Sequence, residues 1–340
     1  SPGPEYFMLI TALLFLLSAG VIYLACEYFV NGIEWLGQKL NFGATATGTV
    51  LAAFGTALPE SAVTFVAVML GRTPEVRDIG VGAALGGPLV LATIAYAVVG
   101  VALWCNRRRL GRHDNRVRVD HARLARDQSW FLSIFVVKCG LGLLAFAFKP
   151  WLGALFLVAY ALYVWRELSS EDSAEHDEAL APLKCQPRAA APSLAMVIIQ
   201  TSVSLLVIAY ASHIFVSQIE TIGVALRMPP HLIALVLSPV ATELPETMNA
   251  LIWVRQGKER LALANISGAM MIQATIPSAL ALFATPWMFD APLIVAGVLT
   301  AVAIAYLWWL FRRGDVDGRK LIPAALLYAV FAAFVAWYVG

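Results

Sequence analysis

Charged side chains are scarce in this chain, and so are the residues that usually build soluble sites. Only 14% of its 340 residues are Asp, Glu, Lys or Arg, against about 25% in an ordinary soluble domain. The 24 basic and 22 acidic residues leave a formal net charge of +2, so no global field marks nucleic acid as a partner. The four cysteines, Cys26, Cys105, Cys139 and Cys185, form no CxxC pair, and no His stands at metal-ligand spacing from them. Neither a disulfide framework nor a zinc site is indicated. No nucleophile with an adjacent base can be named either, which disfavours an enzyme and leaves no cofactor to assign. What the chain has in excess is apolar surface: 60% of it is hydrophobic, and soluble domains hold about 45–50%. It reads as an all-α polytopic membrane protein whose partners are the lipid bilayer and whatever crosses it.

A helix needs about 20 mainly apolar residues to cross a bilayer. Such runs occur near 7–31, 45–70, 78–104, 129–148, 150–168, 193–216, 230–254, 260–283, 290–311 and 321–339, ten spans in all. They leave no room for a soluble domain of ordinary size. The first run lacks a cleavage site of the Ala-x-Ala type and reads as a retained span. Nineteen Lys and Arg fall in one set of alternate loops, including the eight arginines of 107–126, and four in the other set, with Lys138 left inside the fourth span. Basic loops resist translocation, so the first set is cytoplasmic and both termini face away from the cytoplasm of a multi-pass protein in the cell (inner) membrane. Trp104, Trp151, Trp165, Trp308 and Trp309 cluster at span ends, as an interfacial belt would. The acidic stretch from Glu167 to Glu178 reads as a solvated cytoplasmic linker between two halves, and the linker is bounded at 169–190 between five-helix repeats 1–168 and 191–340.

The halves resemble each other. Residues 25–61 aligned on 211–247 give 13 identities in 37 positions, among them Phe29, Glu34, Gly37, Thr56, Leu58, Pro59 and Glu60, where chance gives roughly two to four. After a shorter loop the match resumes, Gly86 opposite Gly268 and Thr93 opposite Thr275. Each half holds five spans, and an odd number makes the second copy enter from the opposite face. The fold expected is ten transmembrane helices in two inverted-topology five-helix repeats, as in secondary transporters.

The second span of each repeat carries a polar interruption, Gly55-Thr56-Ala57-Leu58-Pro59-Glu60-Ser61 and Ala241-Thr242-Glu243-Leu244-Pro245-Glu246-Thr247. Proline has no N–H and clashes with the carbonyl four residues back, so Pro59 and Pro245 turn the carbonyls of Gly55 and Ala241 into free oxygen ligands. An ionised acid at a helix centre costs about 2.5–3.5 kcal/mol on insertion scales, which marks Glu60 and Glu246 as a site. Two carboxylates with carbonyls and hydroxyls make an all-oxygen cage of charge −2, the environment a hard cation such as Ca²⁺ takes. Glu243 lies three residues before Glu246, on the same helical face. Three carboxylates against a divalent ion leave one negative charge over, so Glu243 is the candidate proton carrier, with a ligand to a second cation or a salt-bridge partner as the alternatives.

The paired motifs, with Thr-x-Leu-Pro-Glu occurring twice, resemble the alpha repeats of the cation/calcium antiporter superfamily, to which sodium/calcium exchangers belong. The resemblance implies that helices 2, 3, 7 and 8 enclose the ions, that Glu60 and Glu246 are the central ligands, and that Thr56 and Thr242 add oxygens. It also implies that the first and sixth spans slide across the other eight. The chain departs from the family's pattern in the next helix, where the usual Gly-Ser-Asn becomes Gly86-Gly87-Pro88 with Leu91, and Gly268-Ala269-Met270 with Gln273. Those positions serve sodium sites in the exchangers. Gln273 and Asn265 are read as neutral ligands facing the site, His213 and His231 as packing or interfacial residues, and Glu27 as lining an access path or sitting at the first span's end. The function implied is secondary active antiport of a divalent cation, Ca²⁺ first, against H⁺ or Na⁺ by alternating access. A passive cation conductance and a degenerate exchanger used as a sensor or scaffold are the alternatives.

Overall fold

The structure, a computed structural model, describes residues 4–57, 74–169, 180–189, 191–225, 227, 236–314 and 316–339. Glu60 with Leu58, Pro59 and Ser61 of the first motif, His231, and positions 170–179 of the acidic stretch lie outside the described residues. Among those described, regular structure is helical apart from one isolated antiparallel bridge, Arg116 to Asp317. In chain order the helices are α1 (Pro4–Lys39), α2 (Ala44–Ala46) running into a π-helical turn (Thr47–Ala52), and α3 (Pro74–Val90) running through a second π-helical turn (Leu91–Ala95) into α4 (Tyr96–Asn106). Then come α5 (His121–Gly142), α6 (Gly153–Ser169), α7 (Leu194–Ala225), α8 (Ser238–Thr242) and α9 (Leu244–Arg255). The chain closes with α10 (Glu259–Ala284), α11 (Ala291–Arg313) and α12 (Ala324–Val339).

Among the described residues seven stretches are long and apolar enough to cross a bilayer: Phe7–Lys39, Ala84–Asn106, Lys149–Ser169, Leu194–Phe215, Glu259–Ala284, Ala291–Arg313 and Gly318–Tyr338. The second and seventh expected spans run into residues outside those described. The fourth is displaced: expected over 129–148, the helix is α5, His121–Gly142. Its ends are polar, which an apolar count does not register. The Asp120 side chain caps the start by accepting the Arg123 N–H at 3.0 Å. At the far end Lys149 Nζ donates to the carbonyls of Leu144 at 2.7 Å and Leu141 at 3.2 Å, closing the last turn.

Helix α10 is buried along nearly its whole length and the other helices gather around it, whereas α1 and α7 lie alongside each other at the edge with Leu13, Leu17, Leu206 and Tyr210 outward. Small residues set the approach to α10, as expected where close packing drives association in lipid. A Cβ on Gly48 would lie 2.7 Å from Ala264 Cβ, and one on Gly268 2.3 Å from the Thr49 carbonyl oxygen. Lys138, left in mid-span by the sequence, is fully buried. Pro88 lies inside α3 and leaves the Ala84 carbonyl without its helical donor. Lys138 Nζ donates to that carbonyl at 2.8 Å and to Ser278 Oγ at 3.0 Å, joining α5 to α3 and α10.

The basic loops gather at one end. Arg112 pairs with Glu259, Lys258 with Glu34, and the Gly318 N–H donates to the Asn115 carbonyl at 2.7 Å. Segment 180–189 lies at that end too, strapped across α1 and α7: Trp35 Nε1 donates to the Ala181 carbonyl at 2.9 Å, and Gln200 Nε2 to the Tyr28 carbonyl at 2.9 Å while its Oε1 accepts the Cys185 N–H. Glu27 of α1 pairs with Lys184 of this strap at 3.2 Å. His213 is exposed. One expectation is corrected here. Glu167 is not part of a solvated linker: it is buried in α6, 2.6 Å from Arg123 Nη2, and accepts from Thr49 Oγ1 at 3.2 Å. A carboxylate inside a helix dense in apolar residues is buried with the helix, and it is held there by its own arginine.

Candidate cation site

The second motif breaks its helix. Helix α8 ends at Thr242, α9 starts at Leu244, and Glu243 stands between them at φ −85° and ψ 6°. Pro245 is the cause: it cannot continue an incoming helix but fits the first turn of a new one, where its missing N–H has no intrahelical role. The break is one residue wide: the Glu243 N–H still donates to the Pro239 carbonyl at 3.1 Å, and the Glu243 carbonyl accepts the Thr247 N–H at 3.2 Å. Glu246 falls in the first turn of α9, where unsatisfied N–H groups and the helix dipole favour a negative charge.

Both acids are buried, Glu243 at 0% and Glu246 at 1% exposure, and Thr56, Asn265 and Gln273 are buried as well. Gln273 Nε2 of α10 donates to Glu243 Oε1 at 2.7 Å. Gly87 of α3 stands against the same pair: a Cβ there would lie 2.3 Å from Gln273 Oε1 and 2.7 Å from Glu243 Oε1. Three helices therefore meet at Glu243, and the third can arrive only without a side chain. Neighbouring hydroxyls bond backward to their own helices: Thr56 Oγ1 to the Ala52 carbonyl at 3.1 Å, Thr242 Oγ1 to Pro239 at 3.2 Å, and Thr247 Oγ1 to Glu243 at 3.0 Å. Their oxygen lone pairs remain suited to a cation. The π-helical turn Thr47–Ala52 runs beside α10, Gly48 against Ala264 and Thr49 against Gly268. Such turns widen a helix locally and recur at functional sites. The Cys26 thiol of α1 closes the other flank, 3.9 Å from the Pro245 carbonyl.

Of the residues singled out by sequence, Glu243 and Gln273 are in direct contact, with Thr242 and Glu246 on the same interrupted span. Asn265 is set apart from Gln273 by two turns of α10, about 12 Å along the axis. Glu60 lies outside the described residues. Among those described, no group of three His, Cys, Asp or Glu stands close enough to hold a metal ion by itself. Sequence reasoning passed over two residues. Gly87 was noted only for the side chain it replaces. Asn249, fully buried, follows Glu246 by three positions on one helical face, a spacing that could have found it.

Gly87→Ala is expected to push a methyl between Glu243 and Gln273 and lower divalent affinity about tenfold, about 1.4 kcal/mol, in ⁴⁵Ca²⁺ binding to purified protein. Unchanged binding would remove the contact from the site.

A family model described as sodium/calcium exchanger protein matches residues 10–168 and 196–339. The chain is 24% identical over 335 residues to a putative antiporter, CaxA, of Alkalimonas amylolytica, covering 96% of this chain and 98% of that protein. It is 28% identical over 160 residues to cation/calcium exchanger 2 of Arabidopsis thaliana, a match spanning 45% of this chain but only 26% of that longer protein. The fold is similar to that of the sodium-calcium exchanger NCX_Mj, with a TM-score of 0.72 at 20% identity over 96% of this chain and 99% of the other.

Proposed function

Because the chain belongs to the sodium/calcium exchanger protein family, a family of membrane cation transporters, we propose that it is a secondary antiporter carrying a divalent cation, Ca²⁺ first, against H⁺ or Na⁺ by alternating access. One observation carries this reading: a membrane helix is interrupted at Glu243, and two carboxylates with an amide partner are buried at the interruption. Ionised carboxylates are costly inside a bilayer, and hard divalent cations are bound by such oxygen groups.

In this reading Glu60, on the repeat-equivalent motif, completes the cage opposite Glu246, and Thr56 and Thr242 lend oxygens. Glu243 carries the proton that balances the third carboxylate. Gln273 orients it, since an amide N–H bonds the carboxylate and a neutral acid alike. The two halves are inverted repeats, the basic end is cytoplasmic, and both termini lie on the opposite side. Helices α1 and α7 move as a unit against the rest, a motion favoured by their packing along one another and by the strap at 180–189 that joins them.

The test is ⁴⁵Ca²⁺ uptake into proteoliposomes under an imposed Na⁺ or pH gradient. Uptake driven by one gradient and lost in Glu60→Gln names the counter-ion. Glu243→Gln is expected to lose the pH dependence. No uptake under either gradient, with Mn²⁺ and Sr²⁺ equally inert, would sink the antiport reading.

A further inference from the structure

Both helices that close on Glu243 carry a proline beside the contact. In α3 it is Pro88, next to Gly87, and in α10 it is Pro277, one turn after Gln273. Each proline removes a backbone N–H and leaves the carbonyl four residues back without its helical donor, Ala84 in α3 and Gln273 in α10. The broken part of α3 is also bare. Gly86 lies against Pro239 of α8, where a Cβ would stand 2.8 Å from the proline Cγ, and Gly87 lies against Glu243 and Gln273. With no side chains of their own to lock them, these glycines must be held in register by something outside the contact.

Lys138 of α5 is placed to do so. Its Nζ donates to the Ala84 carbonyl at 2.8 Å and to Ser278 Oγ at 3.0 Å. Ala84 is the carbonyl that Pro88 released, about 4.5 Å before Gly87 along α3, and Ser278 directly follows Pro277. The amine head also lies over the Phe135 ring, 4.9 Å from its centroid. The Lys138 carbonyl accepts Trp287 Nε1 at 3.0 Å, so the residue is fixed at its backbone as well as at its tip. Helix α5 in turn packs along α11, away from the interrupted span. Among the described residues Lys138 makes no ion pair. A lysine head inside a bilayer is costly, and here its donors go to the two proline-broken helices and not to a carboxylate.

We propose that Lys138 is a positioning residue for the divalent site: it clamps α3 and α10 at their proline breaks and so holds Gly87 and Gln273 in place around Glu243, without touching the ion. The proposal rests on the reading of Glu243 as part of a divalent site.

The experiment is equilibrium ⁴⁵Ca²⁺ binding to the purified full chain, with a monodisperse elution profile as the check on folding. Lys138→Met keeps much of the volume and removes the donors, and it is expected to weaken binding about tenfold, the scale of one buried hydrogen bond left unmade. Pro88→Ala returns an N–H to the Ala84 carbonyl, so adding it to Lys138→Met is expected to restore binding to within about threefold of wild type. A backbone donor cannot replace lost side-chain volume, and this rescue therefore separates a clamp from a residue that merely fills space. Ser278→Ala removes the other acceptor at little change in volume; it is expected to weaken binding about threefold and serves if Lys138→Met does not fold. Wild-type affinity in Lys138→Met and Ser278→Ala, or a Lys138→Met loss that Pro88→Ala does not restore, overturns the proposal and leaves the divalent site standing. A wild type that binds none of Ca²⁺, Mn²⁺ or Sr²⁺ removes the divalent site and the proposal with it.

Discussion

Replacing Glu246 by Gln is expected to lower divalent uptake at least a hundredfold while the protein still folds. Gln keeps the volume and most of the hydrogen bonding of Glu and removes one charge. The side chain is 1% exposed in the first turn of α9, so water cannot replace the missing charge. A hundredfold loss corresponds to about 2.7 kcal/mol, modest for a charge–charge contact in a medium of low dielectric. Glu246→Asp retains the charge but withdraws it by one methylene, and an intermediate loss is expected. The measurement is initial ⁴⁵Ca²⁺ uptake in proteoliposomes alongside the elution profile. A folded Glu246→Gln protein within threefold of wild-type uptake would take this carboxylate out of the ion's path.

Gly268→Ala is expected to destabilise the protein by about 3 kcal/mol, the upper part of the range for overpacked cores. The new Cβ would stand 2.3 Å from the Thr49 carbonyl oxygen and 2.7 Å from Thr49 Cα and Ala53 Cβ. Two of these three atoms are backbone, so no rotamer change relieves the clash and the two helices must separate. Gly82→Ala is the control of opposite sign. Nothing lies within 4 Å of its Cβ position, and in a helix Ala exceeds Gly by up to about 1 kcal/mol. Thermal unfolding of the two variants in one detergent reads both effects. Equal midpoints would mean that α10 and the π-helical turn are not in the close contact described.

The Lys138 and Glu167 environments explain where reading by sequence stops. Both stood out as charges in or beside an apolar run, and neither partner was visible. Lys138 donates to a carbonyl released by Pro88, 50 positions earlier in the chain, and Glu167 binds an arginine that a count of basic loops had placed in solvent. The tryptophans divide in the same way. Trp104, Trp151, Trp165 and Trp309 are exposed at span ends as an interfacial belt would be, while Trp253 is fully buried and donates Nε1 to Glu34 at 2.8 Å.

Sequence alone determined the properties that arise within a few turns of chain. Apolar run length made this a helical membrane protein, the pattern of Lys and Arg sorted its loops, and Pro245 interrupted a span beside two acids. Each follows from local hydropathy, charge or a missing N–H. Tertiary structure alone decided that Gln273 meets Glu243, that Gly87 must be bare to admit them, and that Glu167 is buried. These depend on which helix faces meet and at what depth. The register of helix against helix is set by close packing of the whole molecule, and no short segment contains it.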